Sequence, residues 1–228
     1  MIVYFLEVQI DKADEIVLTQ HQLKEIGDVF TSLPNLSGLC LYTPDGGIQD
    51  PYLGEELSPP LIVKALFNDP YALENALLSS EFGKSISLIR QIFPDDTVFW
   101  QEAMFLEILK DMPATPGNGS VSFVVNYQRP AENENEFIRY YSNNHPPIMK
   151  LFPGLRGLEL GTPIDWSPVA DIQWADRMLY NEVNFDNIED LTNALNSETR
   201  MDLRKDFGKF PPFTGLATHY PMRRIVIV

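Results

Sequence analysis

The residues best suited to chemistry lie in the segment Phe137-Ile138-Arg139-Tyr140-Tyr141-Ser142-Asn143-Asn144-His145-Pro146-Pro147-Ile148-Met149. Phe137, Tyr141 and His145 recur every four residues and so share one face of a helix. A histidine among aromatic groups titrates near neutrality and can take up or release a proton. Tyr140 or Tyr141 could donate a hydrogen bond to a developing oxyanion. Pro146 and Pro147 lack backbone donors and disfavour regular helix before them, which predicts a kink that fixes the imidazole direction and frees carbonyl groups. The plain alternative is a partly exposed His145 capping a broken helix, with the tyrosines as core aromatics.

Other candidates carry less. His219 shares one strand face with Ala217 and Pro221, either turned towards a ligand or lying on the surface. Arg156 could hold a carboxylate or stand as a solvated strand charge, and Trp166 and Trp174 could form a stacking wall or pack beneath a loop. His21 reads as part of a solvated helix face. Three scattered histidines and one cysteine lack zinc or copper spacing, so no metal site is predicted. The chain has no Gly-rich phosphate loop and no G-x-S-x-G elbow. No cofactor is predicted, although haem, which needs only one axial histidine, stays compatible.

The elements that must position these groups emerge when the chain is aligned on itself. Leu36-Ser37-Gly38-Leu39-Cys40-Leu41-Tyr42-Thr43-Pro44 matches Leu155-Arg156-Gly157-Leu158-Glu159-Leu160-Gly161-Thr162-Pro163 at six of nine positions, 119 residues later. Phe67, Leu73, Ala76 and Leu77 meet Phe185, Leu191, Ala194 and Leu195 at a spacing of 118, and Phe93-Pro94 meets Phe210-Pro211 at 117. Each copy reads β-α-β-β-α-β. Strands are expected at 2–9, 36–42, 61–67 and 98–109, and again at 120–128, 155–160, 178–185 and 213–228. Helices are expected at about 19–32 and 71–92, and at about 134–151 and 188–204. The expected fold is α+β: two tandem ferredoxin-like units, 1–109 and 120–228 joined by a 110–119 linker, packed sheet to sheet as a pseudo-dimeric α+β barrel. His145 would then sit at the barrel mouth. The first copy has Ile26 where the second has His145, so it reads as structural, and the site belongs to the second.

With His145-Pro146, the turn Pro153-Gly154-Leu155 and Asp206-Phe207-Gly208-Lys209-Phe210, residues 120–228 resemble the EthD family. The resemblance implies the dimeric α+β barrel superfamily, which spans cofactor-independent monooxygenases, isomerases, haem-degrading enzymes and dehydratases. The expected function is acid/base chemistry on a small apolar or aromatic metabolite, of isomerase, lyase or monooxygenase type. His145 would be general base or acid, with Tyr141 and Asp206 orienting it or the substrate. Phe137, Tyr140, Asn144, Met149, Arg156, Trp174, Phe207, Phe210 and His219 would line the substrate pocket. The competing expectation is a non-catalytic ligand-binding or oligomerisation module of the stress-responsive α+β barrel type.

Composition narrows the partners. Acidic residues outnumber basic ones by 32 to 17, a formal charge of −15 that repels phosphate backbones and anionic lipid, so neither nucleic acid nor membrane is expected. No apolar run approaches the ~20 residues of a membrane helix. Lone Cys40 can form no internal disulfide, which points to a reduced cytoplasm. A homodimer of the whole chain remains open.

Overall fold

The computed structural model describes residues 1–10, 16–45, 57–111, 117–169 and 171–228. Residues 1–110 supply strands β1 (Ile2–Gln9), β2 (Leu36–Pro44), β3 (Leu61–Phe67) and β4 (Val98–Lys110), with helices α1 (Gln20–Thr31), α2 (Pro70–Leu77) and α3 (Ser80–Ile92). Residues 117–226 supply β5 (Gly117–Gln128), β6 (Gly157–Pro163), the two-residue β7 (Gln173–Trp174), β8 (Arg177–Phe185) and β9 (Ala217–Val226), with α4 (Glu134–Met149), α5 (Ile188–Leu195) and α6 (Glu198–Phe207). The linker expected at 110–119 is shorter, because Lys110 ends β4 and Gly117 already begins β5; residues 112–116 lie outside those described.

Within the first half the strands run β4-β1-β3-β2, and within the second β9-β5-β8-β6. Pairing of β2 with β9 and of β4 with β6 closes these into one eight-stranded antiparallel barrel, with β7 added parallel to β4. Closure leaves no free edge among those eight strands. Val3, Phe5, Tyr42, Met104, Tyr180 and Met222 turn inward and fill the barrel, while alternate residues face the helices. Strands covered on both faces are apolar nearly throughout, and every residue of β8 is buried. Among the described residues, no helix is long and apolar enough to cross a membrane.

Among the described residues each half carries three helices, not the two expected. The 71–92 helix breaks after Leu77, where the Ser79 side chain accepts from Phe82 N and starts α3 afresh. The 188–204 helix breaks likewise, at Asn196 and Ser197. Helical periodicity continued across both junctions because each pair of helices presents its apolar face to the same sheet. A second departure is at Pro146 and Pro147: α4 runs through both to Met149. The prolines remove two hydrogen bonds of the helical ladder, but the buried faces of Tyr141, His145 and Met149 hold the last turn in place.

The residues between β6 and β8 pack against the first half, not the second. Ile164, Trp166, Val169 and Ile172 join the core between the β1–β4 sheet and its helices. Trp166 meets Tyr4 edge-on, with ring centroids 5.8 Å apart. The Gln101 amide donates to the Val169 and Ile172 carbonyls at 2.6 and 2.8 Å and accepts from Val169 N at 3.1 Å.

Inside the barrel, Glu182 of β8 is fully buried and heavily solvated by protein groups. It accepts from Lys64 of β3 at 2.7 Å, from Tyr42 at 3.1 Å and from Ser122 at 2.6 Å. Burial opposes ionisation, but the Lys64 and Arg224 cations, with the Lys64 and Ser122 hydrogen bonds, hold its carboxyl well below the usual carboxylate range. Lys64 also pairs with Glu159 of β6, so one first-half cation binds two second-half carboxylates. Lys64→Met would remove the ammonium that both carboxylates share, leaving Glu182 with its neutral donors and the more distant Arg224 at 4.0 Å. The expected loss is about 3–5 kcal/mol of unfolding free energy, read from urea denaturation; a loss below about 1 kcal/mol would refute this role.

Candidate active site

A cavity of about 550 Å³ lies between the outer face of β5, β8 and β9 and helices α4 to α6. This corrects the expectation of a site at the barrel mouth, since the barrel interior is packed with side chains. The floor is Phe123, Val125, Tyr127 and Val183 from the sheet, and the helices contribute Tyr141, Met149, Leu195 and Leu203. A volume of this size suits a small metabolite, and the walls are mostly apolar and aromatic.

His145 stands in one wall and is buried, not a partly exposed cap. Its Nδ1 lies 2.8 Å from Asp206 Oδ2, and Asp206 is buried beside it on α6. A carboxylate at Nδ1 favours the tautomer that carries the proton there, which leaves Nε2 as the basic nitrogen. The Tyr140 hydroxyl donates to the other Asp206 oxygen at 3.0 Å, so the carboxylate is fixed from both sides. Burial pushes the imidazole pKa below its ordinary 6.5, and the nearby Arg200 cation adds to this; the Asp206 bond opposes both without overcoming them. Neutral His145 is thus the form present at physiological pH, competent to accept a proton.

The sequence candidates separate cleanly. His145, Tyr141, Met149, Phe207 and His219 line the cavity. Phe210 stands directly behind, its ring centroid 5.1 Å from that of His145, and Phe137 is core packing against it. Tyr141 was expected to orient His145 jointly with Asp206, but Tyr140 makes that contact with Asp206. The Tyr141 hydroxyl instead turns to Met149 Sδ at 3.8 Å, and burial raises its pKa well above the ordinary value, so it remains a neutral donor. His219 is not a surface residue: its ring sits 5.7 Å from Phe123.

Three candidates lie elsewhere. Asn144 is exposed and donates to Tyr140 O at 2.7 Å, one turn back along α4. Arg156 is half exposed and pairs with Asp186 at 3.3 Å. Trp174, also half exposed, donates from Nε1 to Glu102 at 3.2 Å beside β4. Sequence reasoning missed Asn181, Arg200 and Arg204, which also line the cavity. Spacing alone gave no signal for them, because their convergence depends on α6 lying over β8. The set holds no cluster of three or more metal-ligating side chains among the described residues.

The fold and site together define a one-chain α+β barrel with a cavity under the helices of its second half. No protein-family model matches the chain, and no curated protein does. Solved structures do match. A candidate monooxygenase from Fusobacterium nucleatum superposes with a TM-score of 0.61 at 15% identity, over 99% of this chain and 92% of that one. An anthrone oxidase-like protein gives a TM-score of 0.62 at 10% identity, over 98% and 90%. At these identities the likeness is one of fold. An EthD family protein from Bacillus halodurans is 24% identical, covering 43% of this chain and 96% of its own, with a TM-score of 0.35 that carries no family assignment.

The pairing of His145 with Asp206 has a direct spectroscopic consequence. By NMR the His145 ring should titrate below pH 6.5, and Asp206→Asn should move the midpoint lower still, because the group that raises it is gone. An unchanged or higher midpoint in the variant would contradict the geometry.

Proposed function

We propose that the chain is an enzyme of the α+β barrel kind, acting on a small apolar or aromatic metabolite in the second-half cavity by cofactor-independent proton transfer. The observation that carries this reading is the buried His145 held by Asp206 in the wall of an open, largely apolar cavity. His145 Nε2 takes a proton from the substrate next to a carbonyl, and the electron pair left behind is delocalised into that carbonyl. Asp206 stabilises the resulting imidazolium and keeps the ring in place. The anion then isomerises, eliminates or reacts with oxygen. An open cavity with converging polar groups supports an enzyme over a closed packing module. In this reading residues 1–109 are a degenerate copy that completes the barrel, residues 120–228 are the EthD-like working copy, and the two arose by duplication.

A thermal-shift screen of aromatic and lactone metabolites, followed by turnover assays of the stabilising compounds, supplies the test. His145→Gln should lower kcat/KM by roughly 10²- to 10⁴-fold while the compound still raises Tm. In the wild type the acidic limb of the kcat/KM profile should fall below pH 6.5, since the base keeps its free form down to its lowered pKa. Unchanged turnover in the variant would end the reading, and stabilising compounds that are never converted would favour a binding module.

A further inference from the structure

The two halves offer an internal comparison at matched positions of the same strand order. In the second half, Val125 of β5 pairs with Asn181 on one side and His219 on the other. In the first half, Leu6 of β1 stands between Val63 and Gln101. Val63 is buried core, and Gln101 spends its amide on the segment that packs over it. Three residues after the serine at the N-cap position of the last helix in each half, the first has Phe82, buried with its ring 5.9 Å from Tyr4; the second has Arg200. One turn along α6 from Arg200, Arg204 stands at the cavity rim.

The first half therefore closes the same frame with Val63 where the second has Asn181 and with Phe82 where the second has Arg200, so folding does not require an amide at the first place or a cation at the second. Arg200 lines the cavity, and its charge acts on both His145 and Tyr127, which also line it. Asn181 is almost fully buried, and its Oδ1 has no hydrogen-bond partner. A chain of net charge −15 repels anions in general, so two arginines gathered at one apolar cavity select locally for negative charge.

We propose that Arg200, with Arg204 at the rim, is a specificity-determining residue that binds the carboxylate of an apolar acid whose hydrocarbon body fills the cavity against β5 and β8. This inference rests on the cavity being the working site. The guanidinium fork of Arg200 matches a carboxylate where a lysine would offer only a point charge. Asn181 Oδ1 is placed to accept from a hydroxyl or N–H on the ligand body.

The test measures binding of naphthalene-2-carboxylate and its neutral counterpart 2-naphthamide to the full chain by calorimetry. The acid should bind at least tenfold more tightly than the amide. Arg200→Met should weaken the acid about tenfold and leave the amide within twofold, and Arg204→Gln, at an exposed position, should weaken the acid by a smaller factor. In Arg200→Met the His145 ring should also titrate at higher pH, because a cation that depresses it has been removed. Equal binding of acid and amide, or an equal loss of both in Arg200→Met, overturns this inference while leaving the apolar cavity reading intact. If neither probe binds, both readings are overturned.

Discussion

Closure of the ring is the constraint on which the rest depends. Either half alone would present a four-stranded sheet with helices on one face, a bare apolar face and two open edges. Pairing β2 with β9 and β4 with β6 removes both problems together, since the bare faces become the barrel interior. The interior is not wholly apolar. Glu182 and Glu159 from the second half meet Lys64 from the first, and a buried carboxylate is tolerable only when such partners are in register. The charges therefore fix how the halves meet, beyond what non-directional apolar burial specifies.

Because the barrel is filled, the cavity lies instead in the space between sheet and helices. The halves treat that space differently. In the first, Trp166, Val169 and Ile172 arrive from the other half and join its core, where Gln101 ties their segment to the sheet. In the second, the corresponding layer keeps a cavity of about 550 Å³ with His145 in its wall. Removing water from around an imidazole favours its neutral form, so the burial that shapes the cavity also holds His145 neutral.

Much of the barrel was legible because its signals are local. Strands β1 and β3 read directly from runs of apolar and β-branched residues, and Ile26 against His145 singled out the second half, where the cavity lies. Helix breaks at Ser79 and Ser197 were not legible, since the apolar period runs across them. The Pro146-Pro147 pair misled for the opposite reason: a strong local breaking tendency gave way to burial of the last turn of α4.

The sequence by itself determined the order of the eight barrel strands, the doubled pattern and the choice of His145 as candidate, because these depend on residue type and on spacing along the chain. It also singled out Asp206, which the structure places beside His145. Only the tertiary structure decided which tyrosine touches that carboxylate, and that the cavity lies beneath the helices with Asn181 and Arg200 in its wall. Those facts depend on how α6 crosses the sheet. Tyr140 and Tyr141 are neighbours in sequence but point about 100° apart around a helix, and the packing of α4 against α6 selects between them.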